Sequence, residues 1–282
     1  MGAARRSDET GGLELHGHSH MKYPGRVVKQ GERDARIVKA LKNALNKALS
    51  LRGDEALTLD PDNPNFGPTM KRAVKLFQAR HVDDQGVPLK IDGEVGSLTW
   101  AVLFGAERVP QVDAVKDRLL AAVMDKAASQ VGVMEVPRNS NCGPEVDDYL
   151  CRAGVNPGLA WCCAFTYWCF DEASKGLGRA NPMVKTAGCL AHWNKAEAKG
   201  AKRLPAREAI DNPSLIRPGM VFIMDFGGGK GHTGFVERVE GGYVHTIEGN
   251  TDASQTREGG GVYRLKRKVA SINKGYINYA GA

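Results

Sequence analysis

The chain contains no run approaching the roughly 20 apolar residues that a membrane-spanning helix requires, so insertion into a bilayer is not expected. Its N-terminus has no apolar core of the kind a secretory signal peptide uses, so export by that route is not expected either. Cys142, Cys151, Cys162, Cys163, Cys169 and Cys189 contain no C-x-x-C pair, which argues against a structural zinc site. Six in 282 residues also do not amount to a disulfide framework. They are read as reduced, mostly buried small hydrophobes. Charge of either sign is not segregated: 39 Lys and Arg stand against 32 Asp and Glu, and the only basic cluster is Arg264, Lys266, Arg267 and Lys268. A net charge of +7 suits an anionic partner but does not choose among nucleic acid, membrane surface and cell wall.

What is present is the length of two ordinary domains, with the 42% hydrophobic and 25% charged content of a soluble globular chain. Residues 1–20 carry the run His16-Gly17-His18-Ser19-His20 and read as a tag and vector remainder ahead of a natural start at Met21. From Gly31 to Leu51, Ile37, Leu41, Leu45, Ala48 and Leu49 recur at helical spacing. A turn-rich patch at 60–65 follows, and a second helix carries Met70, Val74 and Phe77 on one face. After the Asp92-Gly93 turn, a short helix holds Leu98, Trp100, Val102 and Leu103. Three short helices around one core make a unit of about 80 residues, near the lower limit for independent folding.

Two segments of that unit are Ala73-Val74-Lys75-Leu76-Phe77-Gln78 and Asp92-Gly93-Glu94-Val95-Gly96-Ser97-Leu98-Thr99-Trp100-Ala101-Val102-Leu103. Residues 25–105 thereby resemble the three-helix peptidoglycan-binding domain, with a longer stretch between the first two helices. The resemblance implies a grip on cell wall without saying which residues make it. Phe77, Trp100 and Leu103 are read as core. Residues 106–112, containing Pro110, read as a short linker.

The second half, 113–282, opens with an amphipathic helix bearing Val115, Leu119, Leu120, Val123, Met124 and Ala127. Pro144 suits the first turn of a helix reaching Cys151. Phe165, Trp168, Cys169 and Ala173 keep helical spacing behind the Asn156-Pro157-Gly158 loop, which puts Cys162 at or near a helix N-terminus. Backbone N–H groups and the helix dipole there favour a thiolate and can hold an oxyanion. The remainder is strand-like: Met220–Met224, Thr233–Glu240, Gly242–Asn250, Gly261–Leu265 and Tyr276–Tyr279, separated by glycine-rich turns. Helices followed by an antiparallel sheet make an α+β fold. A three-residue loop, Glu240-Gly241-Gly242, would set Val239 opposite Tyr243 and His232 opposite Asn250, with Glu248 two residues away on the same face. An imidazole beside a carboxylate and an amide is the base a cysteine nucleophile needs. Taken singly, His232, Glu248 and Asn250 read more readily as loop and turn residues than as functional ones.

Together, Trp161-Cys162-Cys163-Ala164-Phe165, Gly231-His232-Thr233-Gly234-Phe235-Val236 and Ile247-Glu248-Gly249-Asn250 resemble the CHAP domains, the cysteine, histidine-dependent amidohydrolases and peptidases. Pro218-Gly219-Met220-Val221-Phe222 resembles the family's P-G-D-x-x-F strand entry, with Met220 in place of the acid and Phe222 one residue ahead of the motif's aromatic position. The resemblance implies a papain-like α+β fold over 113–282. It makes Cys162 the nucleophile, His232 the general base, Glu248 its orienting acid and Asn250 an assisting amide. Cys163 departs from the family's frequent alanine. No Asp-rich loop precedes Cys162, so neither a metal nor another cofactor is expected.

A wall-binding unit joined to a cysteine amidohydrolase implies peptidoglycan as the common substrate, with no nucleic-acid partner, and a monomer is expected. The layout resembles a phage endolysin: made in the host cytoplasm without a signal peptide, acting on the wall, and cleaving the muramoyl-alanine amide or a bond of the peptide stem or cross-bridge. The rival readings are a catalytically dead wall-binding protein and a papain-like protease acting on proteins.

Overall fold

The computed structural model describes residues 21–50, 57–255 and 259–282, so the histidine-rich run at 16–20 lies outside the described residues. The N-terminal part folds as the periodicity predicts. Helix α1 (Ala35–Ala48) starts where the Asp34 carboxylate accepts from the N–H groups of Arg36 and Ile37. Helix α2 (Pro68–Arg80) has proline in its first turn, where no N–H is needed. Helix α3 is Ser97–Phe104. Their apolar faces meet in one core around Leu41, Leu45, Val74, Phe77 and Trp100. Leu103, expected inside, is only half-buried at its edge. Buried Gln78 ties α2 to the Asp92-Gly93 turn: its Oε1 accepts from Gly93 N at 2.8 Å and its Nε2 donates to Glu94 O at 2.8 Å.

The rest of the chain comprises α4 (Arg118–Ser129), α5 (Pro144–Ala153), α6 (Cys162–Gly176), α7 (Cys189–Lys195), strand β1 (Lys202–Pro205) and α8 (Ala206–Asp211). Five further strands follow: β2 (Val221–Gly227), β3 (Lys230–Glu240), β4 (Tyr243–Thr251), β5 (Gly261–Lys268) and β6 (Gly275–Asn278). Among the described residues they form one antiparallel sheet in the order β1-β6-β2-β3-β4-β5. This is the α+β arrangement of a papain-like fold. Helix α6 lies at its centre. Phe165, Phe170 and Cys169 are fully buried, and with α4 and α5 they pack on the sheet face carrying Val221, Ile223, Phe235 and Ile247. Alternate strand residues Phe222, Met224, Val236 and Val244 build a second core on the other face.

The β3–β4 hairpin departs from the expected register in one place and regains it in another. Its loop has two residues, Gly241 and Gly242, at φ of 58° and 88°, so Glu240 pairs with Tyr243 and Val239 with Val244. A bulge between Val236 and Arg238 then inserts one residue on β3. Beyond it Phe235 faces Ile247, which is the register the three-residue loop would have produced. Two one-residue differences cancel before the chain reaches His232.

The 106–112 segment is bonded to the sheet: Val112 N donates to Val239 O at 2.9 Å and Val239 N returns to Val112 O at 2.8 Å. The Tyr23 hydroxyl donates to Asp211 O at 3.0 Å. Lys268 on β5 pairs with Asp83 at 2.7 Å, and Lys266 pairs with Asp84.

Candidate active site

Cys162 is the first residue of α6. Trp161 before it provides no side-chain cap, so the first-turn N–H groups of this helix remain uncommitted to a capping side chain. The helix start reaches β4 because Gly249 leaves room. A Cβ there would stand 2.6 Å from the Trp161 ring and 2.9 Å from Phe165. Gly234 does the same one strand away, where a Cβ would meet Glu248 Cγ at 2.7 Å. Both motif glycines are therefore positions of close approach.

His232 and Glu248 share the sheet face of Val236 and Val244. His232 Nε2 lies 2.7 Å from Glu248 Oε2, with both side chains almost wholly buried. Because Nε2 is engaged by the carboxylate, Nδ1 is the ring nitrogen left for another partner. It has no aligned hydrogen bond among the described residues. Cys162 and His232 nonetheless shift each other's titration, the imidazole drawing the thiol down and the thiol raising the imidazole.

Three neighbours were not legible in the sequence. Cys189, the first residue of α7, brings its Sγ to 3.5 Å from that of Cys162. Arg267 on β5 donates to Glu248 through Nε to Oε1 and Nη2 to Oε2, each at 2.6 Å. The Thr246 hydroxyl also donates to Glu248 Oε1. Cys163 turns elsewhere, its thiol contacting Thr186 O at 3.5 Å.

The electrostatics follow from these contacts. Burial opposes ionisation of Glu248, but His232 and Arg267 outweigh it and hold the carboxyl at about 2. Burial also opposes the imidazolium of His232; Cys162 and Glu248 outweigh it and raise His232 to about 9. The Cys162 thiol is pushed well up, by Cys189 first and burial second, against the pull of His232. The depressed thiol expected from a helix N-terminus is thus overturned by a second thiol that the sequence did not bring to notice. Asn250 is buried at φ of 57° with its Oδ1 unpartnered among the described residues, and His232 makes its hydrogen bond to Glu248 instead.

Residues 154–250 match the CHAP domain family. This segment is a CHAP domain. The match takes in Cys162, His232, Glu248 and Asn250 and stops short of β5. It sets residues 154–250 among the cysteine, histidine-dependent amidohydrolases and peptidases. No curated protein and no solved structure matches the chain. Among the described residues, no helix is long and apolar enough to cross a membrane.

Proposed function

We propose that this protein is a cysteine-dependent peptidoglycan hydrolase that cuts an amide bond, with Cys162 as nucleophile, His232 as general base and Glu248 as the residue that orients the imidazole. The observation that carries this reading is the 2.7 Å bond from His232 Nε2 to a buried, ionised Glu248, which leaves Nδ1 as the working nitrogen beside the first residue of a helix. Cys162 Sγ attacks the amide carbonyl as His232 takes the thiol proton. The carbonyl oxygen becomes an oxyanion facing the uncapped N–H groups of α6. His232 passes its proton to the leaving amine, and a thioester remains. Water, deprotonated by His232, then releases the acid and regenerates the thiol.

Residues 25–105 are proposed as a wall-binding unit separate from the catalytic unit at 113–282, joined through 106–112. Holding an insoluble polymer near the site raises its effective concentration, so weak binding suffices. Release of the enzyme onto the wall at the end of a phage cycle is the biological role this layout supports best. Asn250 is assigned a supporting part, polarising the substrate or the imidazole once substrate is bound.

The test is clearance of a suspension of purified cell walls by the full chain, with mass spectrometry of the released fragments. Fragments carrying new amino and carboxyl ends are expected with wild type and not with Cys162→Ala. Equal clearance by the two proteins would overturn the assignment.

A further inference from the structure

Arg267 looks in the sequence like one member of a solvent-facing basic cluster. In the fold it is the exception: its side chain is 6% exposed while Lys266 and Lys268 on either side reach the 83–84 loop. Its guanidinium makes a two-pronged bond with Glu248, the geometry in which arginine fixes a carboxylate in plane as well as in charge. Oε1 accepts from Arg267 Nε and the Thr246 hydroxyl, and Oε2 accepts from Arg267 Nη2 and His232. All four lone-pair directions of the carboxylate are taken. The Phe222 ring backs the cluster, with the Arg267 Cζ at 5.9 Å and the His232 ring at 6.0 Å from its centroid.

We propose that Arg267 is a positioning residue for hydrolysis: acting through Glu248, it holds the His232 imidazole in register with the Cys162 thiol. Without the guanidinium the buried carboxylate would keep one neutral hydroxyl, that of Thr246, and the imidazole; it would turn more freely about its Cβ–Cγ and Cγ–Cδ bonds and would favour its neutral form. The guanidinium prevents both. Arg267 also places a permanent cation near the site, so each proton there is easier to remove than without it. The titratable and charged groups facing His232 are Cys162 from α6, with Cys189 of α7 behind it, and Glu248 from β4, with Arg267 of β5 beyond. Strand β2 contributes only Phe222 and Met224, which do not titrate.

This inference rests on the assignment of His232 as base, so its test includes a readout that needs no substrate. The rate of Cys162 alkylation by iodoacetamide is measured against pH in the full chain, alongside kcat and KM for wall clearance. In Arg267→Met the alkylation midpoint should move to higher pH, and kcat should fall at least about tenfold with KM little changed. Arg267→Lys keeps the charge without the two-pronged geometry, so it should restore the midpoint while leaving kcat reduced. The double variant Glu248→Gln with Arg267→Met, which removes both buried charges together, should be no slower than Glu248→Gln alone. An unmoved midpoint in folded Arg267→Met, or losses that add in the double variant, would overturn the proposal. If Arg267→Met does not fold, Arg267→Lys and the double variant decide. A shifted alkylation profile in a protein that clears no wall would leave Arg267 its role and remove the hydrolase reading.

Discussion

The thiols of Cys162 and Cys189 stand 3.5 Å apart, each the first residue of its helix and each buried. The second thiol opposes ionisation of the first. Together with the raised imidazole of His232, this sets the ascending limb of kcat/KM on the alkaline side of neutrality, and the rate should climb from pH 7 toward about 9. Cys189→Ala should move that limb, and the alkylation midpoint of Cys162, to lower pH. Identical midpoints in the two proteins would mean that the contact does not govern the thiol.

Cys163 adjoins Cys162 in sequence but points toward Thr186 O. Cys163→Ala should therefore retain most of the wall-clearing rate, whereas Cys162→Ala should abolish it. Peptide mapping after brief alkylation should find the label on Cys162. An inactive Cys163→Ala beside an active Cys162→Ala would reverse the roles of the two thiols.

His232→Ala should lower kcat by about 100- to 10,000-fold while the domain stays folded, the usual range for loss of a general base. A clearing rate near wild type would remove His232 from the mechanism.

Stability should depend on pH through the same pair. Glu248 is held at about 2, below its ordinary 4.5, so its contribution is present above 4.5 and is lost as pH falls toward 2. His232 is raised from 6.5 to about 9, so its contribution is complete below 6.5 and is lost as pH rises through 9. Melting temperature should peak between these limits and fall on the alkaline side, and Glu248→Gln should flatten the alkaline fall. A wild-type Tm that stays level from pH 6.5 to 9 would contradict the pairing.

Residues 25–105 expressed alone should sediment with insoluble peptidoglycan at low salt. Their core does not draw on the C-terminal half. A segment that stays in the supernatant would leave the CHAP half to find the wall unaided.

Short-range pattern made much of this visible in the sequence. The faces of α1, α2 and α4 are written in their apolar spacing, and Cys162 at the head of α6 follows from the loop before it. His232 and Glu248 were found because a register counted back from the glycine turn puts them on one face, and because their flanking motifs resemble those of the CHAP domains. The bulge beside Glu237 was not legible, since nothing in Val236-Glu237-Arg238 marks an extra residue; the site survived only because the shorter Gly241-Gly242 turn offset it. Cys189 was missed because the path from Leu177 to Gly188 has no period to follow. Arg267 was missed because its neighbours in sequence are lysines, and charge alone does not reveal which of three consecutive cations faces inward.

That inward turn has a consequence for how the gene can vary. Along β5 the side chains alternate, so Lys266 and Lys268 hold the 83–84 loop while Arg267 holds Glu248. Inserting or deleting one codon within the strand would exchange the two sets, burying a lysine against Phe222 and presenting arginine to the loop. The ion pairs to Asp83 and Asp84 and the bond that supports Glu248 beside His232 would be lost in the same event. Length changes are therefore tolerable at the exposed Gly227-Gly228-Gly229 turn, where a Cβ meets nothing, and not in the eight residues of β5.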